Sequence, residues 1–329
     1  MRILHSDPRL SWPGSVSLEQ TDSFTRPWRI PFSRKTLFHP QLLEKASKSA
    51  GVRIAFGSST TRIAGKFHRI ETENPKLNLC VDGKLFETID LTDATEFSCA
   101  GLPSGDKRLE LWLPQFADFF LEHLEIDDNA SLAVQQDDRP RWITYGSSIT
   151  HCRSAQSPTL TWPAIVARDQ DLNLTSLGFG GECHLDIQIA RLIRDLPADA
   201  ISICAGINIY GRGSLSARSF AQNLIASVEI IREKHPDTPL LLISPIYGCE
   251  RETNPNACSM TLADYRAQVR ETAELFQKLG DSHLHYLDGL ELFGESLAQH
   301  LPDNLHPSAE GYQIMGENFL KLGSPLIHK

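Results

Sequence analysis

Four short stretches of this 329-residue chain carry residue types suited to nucleophilic attack on an acyl carbon. Gly146-Ser147-Ser148-Ile149-Thr150 offers a hydroxyl, Gly178-Phe179-Gly180-Gly181 a glycine loop, and Gly206-Ile207-Asn208 a side-chain amide. Asp303-Asn304-Leu305-His306-Pro307 adds a carboxylate and an imidazole three residues apart. A serine hydroxyl is too weak an acid to attack an ester unaided. It needs a base within hydrogen-bond reach, and that base needs an orienting partner. His306 would take the Ser148 proton on one ring nitrogen, while Asp303, folded back in one tight turn, would accept from the other. The developing oxyanion needs donors fixed in advance. The Ser148 backbone N–H, the Asn208 side-chain NH₂ and a glycine N–H of the 178–181 loop are the candidates. Glycine suits the last position because no Cβ obstructs the approach of backbone to substrate. Gly180 and Gly181 both qualify.

Each of these residues has a plainer reading when taken alone. A serine after a strand is usually a turn residue, and the Gly-Ser-Ser motif occurs twice, at Gly57-Ser58-Ser59 and at Gly146-Ser147-Ser148. Only Ser148 opens an alternation of strands and helices, so Ser59 is read as a surface turn and Ser148 as the nucleophile. His306 could cap the helix that follows Pro307, and Asn208 could be an ordinary turn residue; the joint presence of all four stretches favours chemistry. LGFGGE lacks the third glycine of a dinucleotide-binding turn. The G-x-S-x-G elbow is absent too, because Thr150 stands where its second glycine would be, which argues against an α/β-hydrolase fold. His151 reads equally well as pocket lining or exposed filler. Trp162 reads as packing at a helix start, and Tyr210 as pocket border or half-buried aromatic. His283 and His285 share one strand with no third ligand placed to make a zinc site.

The elements that must position these groups fall into two parts. From about Val52 to Gln136, VRIAF, KLNLCVD, KLFETIDL, KRLELWLP and FLEHLEI are short strand-like runs separated by Gly, Pro, Asn and Asp turns, the pattern of a small β-sandwich or jelly roll. Before them, HPQLLEKASKSAG reads as one short helix ended by Gly51. After the charged link QQDDRPR the rhythm changes. RWITYG, LNLTSLGF, AISICAG, LLLISPI and HLHYLD are nearly all apolar, and helices lie between them, with apolar residues three and four apart. One helix carries Leu185, Ile189, Leu192, Ile193 and Leu196; another carries Phe220, Leu224, Val228 and Ile231. Buried strands alternating with helices imply a parallel sheet covered on both faces. The expected architecture is a β-sandwich domain over 1–137 followed by a three-layer α/β/α domain over 138–329. In such a sheet, active groups gather beyond the carboxyl ends of the strands.

GSSIT, LGFGGE, GIN and DNLH, in that order along an α/β pattern, resemble the four blocks of the SGNH (GDSL-like) hydrolases. RPWRIP, AGVRIAF, LELWLP, SPTLTWP, HPDTPLLLISPI and HYLDG are similar to a bacterial two-domain subgroup of GDSL-like lipases or acylhydrolases with an N-terminal β-sandwich. The resemblance implies a flavodoxin-like SGNH domain with Ser148 as nucleophile, Asp303 and His306 completing the triad, and Ser148, Gly181 and Asn208 forming the oxyanion hole. It also chooses Gly181 over Gly180, because the glycine of the family block is followed by an acidic residue, as Gly181 is by Glu182. One departure is Ser147, where the family usually has Asp; the triad is untouched, but the local loop geometry is put in question.

The implied reaction is hydrolysis of a carboxylic ester through an acyl-Ser148 intermediate, with neither metal nor cofactor. The expected substrate is a small-molecule ester: a short, acetyl-like acyl group on a sugar or small metabolite. A thioesterase or longer-chain lipase-like acylhydrolase is the alternative within enzymes. A catalytically dead, carbohydrate-binding protein is the alternative outside them. The sandwich is expected to shape or cover the mouth of the site, and the histidine base implies activity that rises as an imidazole deprotonates. A formal net charge of −9 disfavours nucleic-acid and anionic-membrane partners, which reward clustered Lys and Arg. No stretch has the apolar length of a transmembrane helix, and MRILHSDPRLSWPG lacks the core of a secretory signal. Seven scattered cysteines with no CxxC pair read as reduced, packed thiols of a cytoplasmic protein. The sequence assigns no oligomeric state.

Overall fold

The structure, a computed structural model, describes residues 1–327. The chain divides into two compact units, with the main break between Arg139 and Pro140. The first unit is Met1–Arg139 together with two short later stretches, Gln156–Thr159 and Asn173–Ser176; the second is the remainder from Pro140 onward.

In the first unit, β1 (Arg2–Leu4), β2 (Ser17–Gln20), β3 (Thr25–Trp28) and a short helix α1 (Pro40–Ala46) precede seven further strands. These are β4 (Arg53–Ser58), β5 (Arg62–Phe67), β6 (Lys76–Val81), β7 (Lys84–Asp90), β8 (Glu96–Ala100), β9 (Lys107–Trp112) and β10 (Leu121–Ile126). They form two antiparallel sheets: a six-stranded one in the order β2-β3-β10-β5-β8, with β1 also on β10, and a four-stranded one in the order β4-β9-β6-β7. Alternating side chains of both sheets meet in one apolar core. Ile54, Phe56, Leu79, Leu109 and Leu111 come from the smaller sheet, and Ile63, Phe67, Phe97, Leu121 and Leu124 from the larger. Every second side chain of a strand points to the same face, which is what lets short strands hold a two-sheet core. β7 is an exposed edge whose Lys84, Glu87 and Asp90 discourage pairing with another chain.

Two expectations change here. The helix read over HPQLLEKASKSAG stops at Ala46, capped by Ser47, so Gly51 does not end it. Gly51 lies five residues further on, in a left-handed conformation (φ +73°) of its own. The strands β1, β2 and β3 were not legible, being three or four residues long, and β3 contains Pro27, a residue that counts against a strand in sequence.

The parallel sheet, most of it in the second unit, consists of β11 (Arg141–Gly146), β12 (Asn173–Gly178), β13 (Ala200–Cys204), β14 (Leu240–Ile243) and β15 (Leu284–Leu287), in the order β12-β11-β13-β14-β15. Between them run α2 (Ser148–His151), α3 (Trp162–Asp169), α4 (Ile187–Asp195), α5 (Ile207–Arg212), α6 (Ala217–Arg232), α7 (Leu262–Lys278), α8 (Gly289–Leu292), α9 (Ala309–Leu322) and α10 (Ser324–Ile327). β13 and β14 are buried throughout, as strands covered on both faces must be. α3 packs with α9, and α4 with α6, which in turn packs with α7; these two groups are the outer layers of an α/β/α domain. Leu185 and Leu196, read as part of the face of α4, lie just outside its ends: Leu185 is buried at φ +58°, and Leu196 is the C-cap. The chain leaves β11 for β12 on one side and returns to β13 on the other, so the strand order reverses at β11, where such sheets open a crevice. Among the described residues, no helix is long and apolar enough to cross a membrane.

Candidate active site

β11 ends at Gly146, and α2 starts two residues later with Ser148 in its first turn. The buried Ser147 is its N-cap, the side-chain oxygen accepting from the Ile149 N–H at 3.2 Å. Ser and Asp serve about equally well as N-caps, so the departure noted at this position preserves the local geometry. α2 sits unusually low on the sheet. A Cβ added to Gly178 would lie 2.5 Å from the His151 backbone nitrogen and 2.6 Å from the Thr150 carbonyl carbon, so no side chain fits there. From above, the buried Trp162 donates its indole N–H to the Ile149 carbonyl at 3.0 Å, a structural role in keeping with its position at the start of α3.

The Ser148 hydroxyl lies 2.8 Å from His306 Nε2, and His306 Nδ1 lies 2.6 Å from Asp303 Oδ2. The other carboxylate oxygen, Oδ1, accepts from the backbone N–H groups of His306 (2.7 Å) and Leu305 (3.1 Å). An ionised carboxylate only accepts, so the ring proton belongs on Nδ1, and Nε2 presents its lone pair to the hydroxyl. Burial raises the Asp303 carboxyl somewhat, but the hydrogen bonds from the His306 ring and the backbone outweigh it and hold the group below the usual carboxylate range. The turn that folds Asp303 back onto His306 passes through Asn304 at φ +58°, a conformation asparagine tolerates better than most residues. Arg251 holds that turn from outside, donating to the Asn304 carbonyl at 2.8 Å. Asp303 is largely exposed, its side chain 55% accessible against 32% for His306.

The glycine loop is a β-turn, Phe179–Glu182, closed by the Glu182 N–H on the Phe179 carbonyl at 3.0 Å. Gly181, its third residue, has φ +80°, the value a type II turn demands and glycine supplies without strain. The Gly180 N–H donates to His151 Nδ1 at 3.3 Å, whereas the Gly181 N–H has no acceptor among the described residues. The Ser148 N–H likewise has none. Asn208 lies in the first turn of α5, not in an open turn, and its Oδ1 accepts from the Cys183 N–H at 3.1 Å. That bond fixes which end of the amide is oxygen and leaves the NH₂ group without an acceptor among the described residues. Gly180 in turn lies beside Ser148, the position of a Cβ on it being 3.6 Å from Ser148 Cβ.

His151 is neither exposed nor filler: it is fully buried and bound to the glycine turn. His184, Arg251 and the capping role of Ser147 were not foreseen. His151 and His184 each stand three residues after a candidate, Ser148 and Gly181, and that spacing was the available signal. Tyr210 is half-buried, its hydroxyl donating to the Asn254 carbonyl at 3.0 Å. Ser59 lies between β4 and β5, its hydroxyl accepting from the Ser131 N–H at 2.9 Å. Burial pushes the thiols of Cys152, which caps α2, and Cys183, next to the glycine turn, well up, so both stay protonated at neutral pH. A hydroxyl, an imidazole and a carboxylate in series, with nearby donors on two helix starts and a turn that have no acceptor among the described residues, can activate a serine and hold a tetrahedral oxyanion.

Residues 140–322, more than half of the chain, match the GDSL-like lipase/acylhydrolase family. The chain belongs to that family. Residues 10–122 match the SsfX3 N-terminal domain. Among solved structures, a salicylyl-acyltransferase, SsfX3, from a tetracycline biosynthetic pathway is 37% identical, with a TM-score of 0.92 over 99% of this chain and 97% of that one. A protein described as a GDSL-like lipase from Bacteroides ovatus shares the fold at 19% identity (TM-score 0.77; 97% of this chain, 95% of that one). A family two carbohydrate esterase from Clostridium thermocellum shares it at 15% identity (TM-score 0.64; 83% and 92%). No functionally curated protein matches the sequence. As a member of the GDSL-like lipase/acylhydrolase family, the chain is an ester-acting enzyme with a β-rich N-terminal domain ahead of its α/β/α domain.

Proposed function

We propose that this GDSL-like protein hydrolyses short acyl esters of a sugar or small metabolite through a covalent acyl-Ser148 intermediate. The observation that carries the reading is the line from Ser148 Oγ to His306 Nε2 (2.8 Å) and from Nδ1 to Asp303 (2.6 Å). In acylation the Ser148 proton passes to Nε2 as Oγ bonds to the acyl carbon, and the carbonyl oxygen becomes an oxyanion. The N–H groups of Ser148 and Gly181 and the Asn208 NH₂ are the donors for it. Asp303 stabilises the imidazolium. Collapse breaks the bond to the alcohol oxygen, which takes the proton from Nε2. Water then repeats the sequence: it gives a proton to Nε2, attacks the acyl carbon, and releases the acid as Ser148 regains its hydrogen.

The test is Ser148→Ala on a short p-nitrophenyl ester, together with labelling of the native protein by a fluorophosphonate. The variant should lose about 10³-fold or more of kcat, and native protein should carry one adduct, on Ser148. Turnover should fall as the acyl chain lengthens; a preference for long chains or thioesters would favour the lipase or thioesterase alternatives. Folded protein that neither labels nor hydrolyses would favour a non-catalytic binder.

A second reading is acyl transfer, favoured by the 37% identity to a salicylyl-acyltransferase across nearly the whole chain. The acyl-enzyme would form in the same way, and an acceptor alcohol would replace water in the second half. Product analysis with added alcohols separates the two: free acid supports hydrolysis, and a new ester exceeding free acid supports transfer.

A further inference from the structure

Three peptide groups run through the glycine turn, and the outer two are each tied to a histidine. The Phe179–Gly180 peptide donates its N–H to Nδ1 of the buried His151 at 3.3 Å. The Gly181–Glu182 peptide is held through its carbonyl, 3.1 Å from His184 Nε2, while His184 Nδ1 meets the Ser214 hydroxyl at 2.8 Å. A carbonyl only accepts, so His184 carries its proton on Nε2 and takes the Ser214 hydrogen on Nδ1. A peptide N–H only donates, so His151 keeps a lone pair on Nδ1. Between these ties lies the Gly180–Gly181 peptide, whose N–H makes no bond among the described residues.

We propose that His151 and His184 are positioning residues that fix the direction of the Gly181 N–H, and through it the strength of the oxyanion hole. This rests on the acyl-Ser148 reading above. A type II turn and a type I turn differ by a flip of the central peptide, which reverses its N–H; with glycine at both central positions, either form is open to the chain. At Gly181 the observed φ of +80° is the type II value. Ties on the two flanking peptides deny the turn the adjustments a flip requires, so the N–H stays aimed without itself being consumed. Such a donor acts only if it is fixed before charge develops. α2 delivers the nucleophile and the first tie together, because Ser148 and His151 lie one helical turn apart on it.

The experiment compares His184→Ala with His184→Gln, whose side-chain NH₂ can still donate to the Gly181 carbonyl. His184→Ala should lower kcat about 10-fold with KM within about twofold, a fraction of the hundredfold or more that follows loss of a donor. His184→Gln should recover most of that loss. For the buried histidine, His151→Gln, which keeps an acceptor, should exceed His151→Leu in kcat by a similar factor at equal KM. Wild-type kcat in His184→Ala, a change in KM alone, or no recovery in His184→Gln would overturn the proposal. Ser148→Ala run in parallel tests the reading beneath it: turnover persisting there would remove the acyl-serine mechanism itself, whatever the histidine variants do.

Discussion

Asp303 orients His306 from an exposed position, and this sets how much its loss should cost. Removing the carboxylate of a buried triad typically lowers kcat by about 10⁴-fold, because the imidazole loses its correct tautomer. Here solvent can partly replace the carboxylate, and exposed ion pairs contribute little. Asp303→Asn should therefore lower kcat by about 10²–10³-fold with KM nearly unchanged, measured on the same short ester. A loss equal to that of Ser148→Ala would mean that the carboxylate does more than orient. The carboxyl is held below its ordinary range, so it stays charged well into acid. The acid side of the pH–rate profile should accordingly show one ionisation, and Asp303→Asn should not remove it. At this scale, residue types and order announced Ser148, Asp303, His306 and Asn208. They did not separate Gly180 from Gly181, which differ in the acceptor waiting for each N–H: His151 comes from a helix about thirty residues away.

α2 has only four residues, too few to be stable alone. It holds its place through the Ser147 cap, the Trp162 hydrogen bond and the close approach that Gly178 allows. Gly178→Ala tests that dependence. The added methyl would meet backbone atoms at 2.5 and 2.6 Å, contacts that no rotamer change relieves. Overpacking of this kind typically costs about 1–3 kcal/mol, and the displaced helix carries Ser148, the proposed nucleophile. The variant should melt lower and lose kcat out of proportion to its fraction unfolded. Unchanged kcat at reduced melting temperature would show that α2 tolerates the shift. The regular helices between the long strands were legible because their apolar faces repeat over about two to five turns. α2, α5 and α8 were not, since four to six residues show no period. The same limit hid β1 to β3.

The chain as a whole should lose stability in acid. Asp127, at the end of β10, accepts from the Thr61 backbone and from the hydroxyls of Thr61 and Thr60, and these bonds pull its carboxyl down to about 2. Arg194 and Lys234 pull Asp195 down to about 2 as well. For a group whose folded pKa lies below its unfolded value, stabilisation is present above the unfolded value and disappears as pH falls through the folded one. Unfolding midpoints should be level near neutrality and drop between about pH 4 and pH 2. Asp127→Asn should be less stable than wild type at pH 7 and converge with it near pH 2; a constant gap across that range would refute the assignment. Both carboxylates are well solvated, so the gap should be small. What the sequence alone determined was the type and order of the parts: apolar periodicity for a parallel sheet between helices, short strand-like runs between turn residues for antiparallel sheets, and a hydroxyl, amide, carboxylate and imidazole at strand ends. Those follow from local spacing, which chain order records. Which backbone N–H groups stay without an acceptor among the described residues, and which side chains meet the glycine turn, were decided by the tertiary structure, because each depends on hydrogen bonds between segments that only packing brings within 3 Å or so of one another.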